Sequence, residues 1–584
     1  MPATAWFDRT VAVGTGCWLV FAALAATGRV AVAEPLVATL AVTLATLVVV
    51  PLVARLGDLP FRGGGRSLPY RLAAVFALPA GLSAVVSLSL PVGPLAAVFA
   101  LPWLVVTLLL AGFGLRRALP NLDRPAELAL AVALLYLPVA GVALVSVRAG
   151  VTYGFGATTM LLTAVHFHYA ACALPAFTGL LAREAADSRG LAVLVAAVVV
   201  GPGLVGLGIA FSPAFELVAA AGFALVVTGV ALTAFATLGA RTDLGSVFVR
   251  VGALSVVVSM ALVAAYLLPR VSSIRLVGFE TMLLGHGVLN AVGFALVGLL
   301  GWRLVDPGPT APPLGLPISR LTSRGRVGAD FLERRGLVAT GDASGMVDGF
   351  DVFGTPAFDA TRPPALVRAF YERTAAFDLD VEASWDPGFG LGARLYDRVG
   401  SRVEQMNFPV ADHDSARLRS RIVPVDDAAD GREGVRAWVR TYAETGTAIY
   451  VACYATHRHD GTPYMNIAFP LPWTNLTSIL EVGDAAGRGG GILLSTLGAG
   501  DAGVYLRTPL GPLRTPVTET IHVWAADERA AFPDGFEPSG ADAYARHEVF
   551  LFGRRFLSLD YRIEERAAAG DHTAATESAP TSRP

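Results

Sequence analysis

Lysine is missing from the 584 residues, so every one of the 45 basic side chains is an arginine, a bias we attribute to GC-rich coding rather than to mechanism. Cysteine is nearly missing too. Cys17, Cys172 and Cys453 stand alone, with no CxxC or Cys/His spacing, which excludes a disulfide framework and a zinc knuckle. Charge is scarce: 16% of residues are Asp, Glu, Lys or Arg, where a soluble chain averages about 25%. With 54% hydrophobic residues and a mean hydropathy of +0.56, much of the chain must avoid water. There is no Gly-rich phosphate loop, Ser/His/Asp elbow, kinase motif set or HEXXH spacing, so the common nucleotide-binding and hydrolytic signatures are absent. The opening MPATAWFDRT lacks a basic n-region and is read as leading into a retained helix rather than a signal peptide.

What is present is a division into two halves. Residues 1–305 carry 17 Arg against 10 Asp and Glu, whereas residues 306–584 carry 28 against 37. The basic half holds apolar runs long enough to cross a bilayer, about 20 residues each. They fall at 11–32, 35–55, 71–91, 94–115, 128–148, 155–182, 191–211, 215–239, 247–268 and 279–304, about ten helices. One set of loops is rich in arginine (Arg55, Arg62, Arg66, Arg71; Arg116, Arg117, Arg124; Arg183, Arg189; Arg241, Arg250), and the alternate loops hold only Arg29, Arg148, Arg270 and Arg275. The positive-inside rule puts the rich set in the cytoplasm and predicts a multi-pass plasma-membrane protein with both termini cytoplasmic. Pro79, Pro102, Pro138, Pro175 and Pro202 fall mid-segment and predict kinks, the sharpest at Gly201-Pro202-Gly203.

Polar groups at bilayer depth point by default to function. His166 and His168 lie in the middle of Leu161–Gly179. Two residues apart on a helix, they point about 200° from each other and cannot share one site. His166 shares its face with Tyr169, and His168 with Cys172 and Pro175. The last apolar run supplies Glu280 and then His286 and Asn290, which at i and i+4 lie on one face, while Gly287 and Gly293 permit close approach of a neighbour. The expected constellation is therefore His166, His168, Tyr169, His286, Asn290 and Glu280, with His166 meeting His286 and Asn290 across a helix interface. Three roles fit it: a ligand, ion or proton site, interhelical hydrogen bonding, and a metal or haem site. The last lacks a carboxylate at suitable helical spacing.

Residues 306–325 are a Pro/Gly-rich linker, 326–566 a β-rich α+β domain, and 567–584 a small-residue polar tail predicted to be disordered. Pro364–Phe377 has helical spacing, and Gly434–Thr441 reads as a shorter, ambiguous helix. Strands are predicted at Arg402–Pro409, Ser420–Val425, Ala448–Thr456, Tyr464–Phe469, Thr477–Val482, Gly491–Ser495, Gly503–Thr508, Thr518–Trp524 and a long run at Glu548–Ile563. Asp460-Gly461 is a hairpin signal, and the whole predicts an antiparallel barrel or curled sheet. His457 and His459 point to the same side of a strand or its turn and could take a metal with Asp460, but loop-edge histidines are usually solvated polar residues and no third ligand has recognisable spacing. Arg417, Arg419, Arg421, Arg432, Arg436 and Arg440 lie among acids and read as a salt-bridged exposed face, not a nucleic-acid patch. Gly487–Gly491 reads as a loop.

HFHYA followed by ALP, and HGxxNAxGF at His286–Phe294, resemble the YndJ-like family of bacterial and archaeal membrane proteins. FYERT, DGREGVRAWVR, YMNIAFPLP (Tyr464–Pro472) and RHEVFLFGRRFLSLDYRI resemble the part that follows the membrane region in such proteins. The resemblance implies a polytopic membrane domain with an appended soluble domain, and it supplies no catalytic residue to carry over. The leading functional expectation is a transporter of a small solute or ion that uses the intramembrane histidines, with the lipid bilayer as surroundings. The alternatives are a membrane-anchored sensor or binding protein with a lipophilic pocket lined by residues such as Trp438, Tyr450, Phe469 and Phe550, and an intramembrane metal enzyme.

Overall fold

The computed structural model describes all residues except 1, 187, 271, 410–413, 486–490, 529–539 and 567–584, so the expected tail and most of the Gly487–Gly491 loop lie outside the described residues. The chain divides into two compact units, Met1–Leu316 and Pro317–Pro584.

Among the described residues, the first unit holds ten helices long and apolar enough to cross a membrane: α1 (Ala3–Ala26), α2 (Leu36–Leu56), α3 (Leu68–Ser89), α4 (Pro94–Asn121), α5 (Pro125–Arg148), α6 (Ala157–Glu184), α7 (Arg189–Phe211), α8 (Pro213–Leu238), α9 (Leu244–Arg270) and α10 (Phe279–Val305). Helix α2 is enclosed on nearly all sides and touches α1, α3, α6 and α10. Helices α9 and α10 come together through glycines: a Cβ on Gly252 would sit 2.8 Å from the Gly298 Cα, and one on Gly301 2.6 Å from the Val249 nitrogen. Backbones this close are the way membrane helices gain van der Waals contact where no hydrophobic drive exists between them.

The helix irregularities follow the prolines only in part. Gly201-Pro202-Gly203 lies within the unbroken helix α7, so no break occurs there. Instead, three wide π turns interrupt α2 at Ala45–Val49, α6 at Tyr169–Ala173 and α10 at Leu289–Val297. The first two precede Pro51 and Pro175. A proline crowds the carbonyl four residues back, here Leu47 and Ala171, and widening the turn removes that clash. The third has no proline. The α10 turn touches the other two, so α2, α6 and α10 meet at their irregular segments.

The second unit is a closed antiparallel barrel. Its strands are β1 (Phe377–Trp385), β2 (Asp414–Pro424), β3 (Arg436–Tyr442), β4 (Ala448–His459), β5 (Thr462–Leu471), β6 (Thr474–Asp484), β7 (Ile492–Ser495), β8 (Gly503–Thr508), β9 (Gly511–Arg514), β10 (Val517–Ala525), β11 (Ala543–Leu551) and β12 (Arg554–Glu565). Ten strands form the ring β1-β2-β3-β4-β5-β6-β7-β10-β11-β12, closed by pairing of β1 with β12. Strand β6 gives one half of its edge to β7 and the other to β8, and the β8–β9 hairpin continues from there. The Asp460-Gly461 turn has positive φ at both residues, +48° and +81°, as a two-residue hairpin turn requires. The long run at Glu548–Ile563 is two strands folded about Phe552-Gly553, with φ of +51° and +76°.

Helix α11 (Ala365–Glu372) puts Val367, Phe370 and Tyr371 into the barrel core, where Phe370 meets Trp438 edge to face. On the outer face, Leu321, Val327, Phe331, Leu332 and Leu337 cover Val439, Val451, Cys453 and Ala455. Gly434–Thr441 is not a helix: its residues enter β3, with Ala437 and Val439 outward and Trp438 and Arg440 inward. Arg402–Pro409 is not a strand either. Val403 closes helix α12 (Gly390–Val403), after which Glu404 and Met406 take left-handed φ values of +49° and +53°. That turn delivers Gln405 to a buried position where its amide bonds the main chain of Val451 and Pro470.

Candidate functional site

Each histidine in the membrane unit has its own neighbours. His166 is exposed on α6, with Nδ1 2.7 Å from the Leu162 carbonyl and its ring centroid 6.3 Å from that of His286. His286 Nδ1 lies 2.8 Å from Ser259 Oγ, and the Asn290 amide donates to Ser259 Oγ at 2.7 Å and to the His286 carbonyl at 2.9 Å. His168 points the other way and is buried: Trp103 Nε1 donates to its Nε2 at 3.0 Å, so its Nδ1–H donates to the Ala164 carbonyl at 2.7 Å. Tyr169 leaves the constellation, donating at 2.8 Å to the Ala41 carbonyl of α2. Glu280 is exposed in the first turn of α10 and bonds none of the histidines. The helices thus bring together His166, His286, Asn290 and Ser259. Ser259 lies on α9, and no spacing within that helix marks it in the sequence.

A second polar centre has almost no signature in the sequence. Glu127, at the start of α5, and Arg117, at the end of α4, are fully buried and form an ion pair. Arg183 of α6, 2% exposed, grips the same carboxylate through Nε and Nη2, both at 3.0 Å. Thr310 adds its N–H and hydroxyl to Glu127 Oε1, both at 2.9 Å, and Arg183 also donates to the Pro307 carbonyl at 3.1 Å. The start of the Pro/Gly segment is thereby clamped onto the helix ends, and Leu314 pairs with Phe61. The one signal in the sequence is an acid directly at the edge of an apolar run.

The barrel encloses a cavity of about 70 Å³. Trp438, Tyr450 and Phe469 line it, as the pocket reading expects, and Phe550 does not. Its polar wall is Arg440, Glu519 and His547 with the hydroxyls of Tyr454 and Tyr561. Arg440 is 4% exposed and lies 3.5 Å over the Trp438 ring, 5.0 Å from Tyr450 and 4.9 Å from Tyr561. Glu519 Oε2 lies 2.7 Å from His547 Nε2. Burial alone would raise the Glu519 carboxyl, but the hydrogen bond and charge of His547, with a bond from Ser478, hold it below the usual carboxylate value. Burial pushes the Tyr450, Tyr454 and Tyr561 phenols up, so they remain neutral.

Arg440 corrects the expectation of one exposed arginine face. Arg417 and Arg421 are exposed, Arg436 pairs with Asp348, Arg432 is buried against Asp430, and Arg440 points inside. The partner of His457 and His459 is Asp501 from the β7–β8 loop, fully buried and 2.8 Å from His457 Nε2 and 3.1 Å from His459 Nδ1. Asp460 is 3.6 Å from His459. Among the described residues, no three His, Cys, Asp or Glu side chains are grouped to hold a metal ion.

No solved structure matches the chain. A family model described as YndJ-like protein matches residues 40–294, a stretch that takes in His166, His286 and Asn290. The chain is 30% identical over 416 residues to the uncharacterized membrane protein YndJ of Bacillus subtilis (strain 168), covering 70% of this chain and 72% of that relative. With a match this long in both chains, this polytopic membrane protein belongs to the YndJ-like family.

Proposed function

We propose that the chain is a membrane-anchored binding protein whose barrel takes up a small molecule with an apolar tail. The observation that carries the reading is the cavity of about 70 Å³ inside a closed barrel, with aromatic walls and a few convergent polar groups. One water needs about 10–15 Å³ by this kind of measure, so the space suits roughly five water-sized units and a ligand of a few heavy atoms. The arginine-rich loops support a barrel on the cytoplasmic side, anchored by the helical unit. Saturation-transfer NMR on the full chain in lipid nanodiscs, with pentanoate and pentan-1-ol as probes, tests this. Ala545→Trp, which projects an indole into the cavity from β11, removes transfer; equal transfer to both proteins refutes barrel binding.

A second reading, passage of a small solute or ion through the helical unit, has its own support. His166, His286, Asn290 and Ser259 approach one another beside the π turns where α2, α6 and α10 meet. Such turns are frequent at functional sites. In proteoliposomes carrying a pH-sensitive dye, this reading requires an ion flux that His286→Ala abolishes. Flux no greater than in protein-free vesicles rules out proton-coupled passage.

A further inference from the structure

We infer that the ligand of the barrel cavity is a small organic anion, a carboxylate with a short apolar tail, whose head is held by Arg440. This rests on the binding reading above and adds the charge of the ligand. Arginine keeps its charge in any protein environment, and a buried cation without a counter-charge is strongly disfavoured. Arg440 is 4% exposed, yet no Asp or Glu oxygen lies within 4 Å of it among the described residues. The other groups facing the cavity do not supply the missing charge. Glu519 is turned to His547 and Ser478, and Tyr371, Tyr450, Tyr454 and Tyr561 stay neutral because burial raises all four.

The competing account is that the aromatic cage alone satisfies the guanidinium. Stacking on Trp438 uses the face of that flat group, whereas its N–H donors lie in the plane and point out from the edge. The Tyr561 ring lies 4.9 Å from the guanidinium carbon, and the buried Nε has no hydrogen-bond partner. An edge with free in-plane donors matches two carboxylate oxygens, which a guanidinium binds side by side. The tail has a place as well: Met465, Ile467, Phe469 and Leu494 make the apolar wall of the same cavity. Arg440 is inward because β3 alternates: Ala437 and Val439 face the outer layer, and Trp438 and Arg440 the interior. An arginine in that register is therefore committed to the cavity by the pleat.

The test compares pentanoate with pentan-1-ol, equal in tail and different in charge, by saturation-transfer titration of the full chain in nanodiscs. Pentanoate is expected to bind at least about tenfold more tightly than the alcohol, and Arg440→Gln to erase that preference. Glu519→Gln removes the one competing negative charge and is expected to tighten pentanoate about threefold or more. Equal binding of the two probes, unaltered by Arg440→Gln, overturns the anion assignment and leaves the binding reading intact. No binding of either probe overturns both. Should Arg440→Gln fail to fold, judged by circular dichroism and size exclusion, the wild-type preference and the Glu519→Gln response decide the matter.

Discussion

Replacing Glu127 by Gln is the perturbation whose size follows most directly from the structure. The substitution keeps the shape and most of the hydrogen-bonding capacity of the side chain and removes its charge. Arg117 and Arg183, 0% and 2% exposed, are then left as two buried cations with no carboxylate between them. Breaking a buried pair by neutralising one partner costs about 3–5 kcal/mol, because the remaining charge stays desolvated. Thr310→Val is the internal scale. It removes one hydroxyl donor at 2.9 Å and leaves the Thr310 N–H on the same oxygen, so it costs about 1.5–3 kcal/mol, the range for a hydrogen bond to a charged group. For a unit of this size roughly 2 °C follows each kcal/mol, giving a fall in Tm of about 6–10 °C for Glu127→Gln and about 3–6 °C for Thr310→Val. Thermal shift in detergent, read by size-exclusion fluorescence, provides the number. Limited proteolysis of the 306–316 segment reports whether its clamp has been released. A loss below about 1 kcal/mol for Glu127→Gln, or a Thr310→Val variant less stable than it, would refute the reasoning.

Other outcomes follow from separate parts of the molecule. Gly301→Ala places a methyl 2.6 Å from the Val249 nitrogen, and it should lower helical-unit stability by about 1–3 kcal/mol, whereas Gly206→Ala, with open space around it, should change little in the same thermal assay. Glu519 has a folded-state pKa below its usual value, so its contribution is complete above about pH 4.5 and is lost as pH falls through the lower folded value; the barrel melt of wild type should therefore drop more from about pH 5 to about pH 3 than that of Glu519→Gln, and parallel curves would count against it. Burial pushes the Cys453 thiol up to about 12 and encloses Cys172, so maleimide should label native protein at Cys17 alone and unfolded protein at all three, with native labelling of Cys453 as the contrary result.

The membrane helices were legible because apolarity sustained over about twenty residues is a local property and survives any packing arrangement. Their irregularities were less so. Pro175 signals the widened turn behind it, but the turn at Leu289–Val297 contains no proline, and Gly201-Pro202-Gly203 stays helical despite its composition. In the barrel, β4 and β5 announce themselves by β-branched and aromatic residues, while β3 is disguised: arginines at 436 and 440 on its inward side resemble the polar face of a surface helix. Helical geometry separates His166 from His168 without any structure, yet Ser259, Glu127 and Asp501 became visible only once distant segments were placed side by side. Partnerships between segments remote along the chain depend on tertiary packing, and no pattern inside a single segment records them.

The pairing of β1 with β12 also sets a schedule for synthesis. Strand β1 emerges from the ribosome early and β12 last, so the ring cannot close until the final strand has been made. At about 5–20 residues per second, that leaves β1 with one unpaired edge for on the order of 10–30 s. During this interval the nascent sheet presents an open edge, the kind of surface that recruits strands from other chains. A chain stopped before β12 would keep that edge permanently, and one stopped before β11 would expose β10 as well. Truncations at this end should therefore produce aggregated protein rather than a smaller soluble barrel, because the last strand supplies the seam that the first has been waiting for.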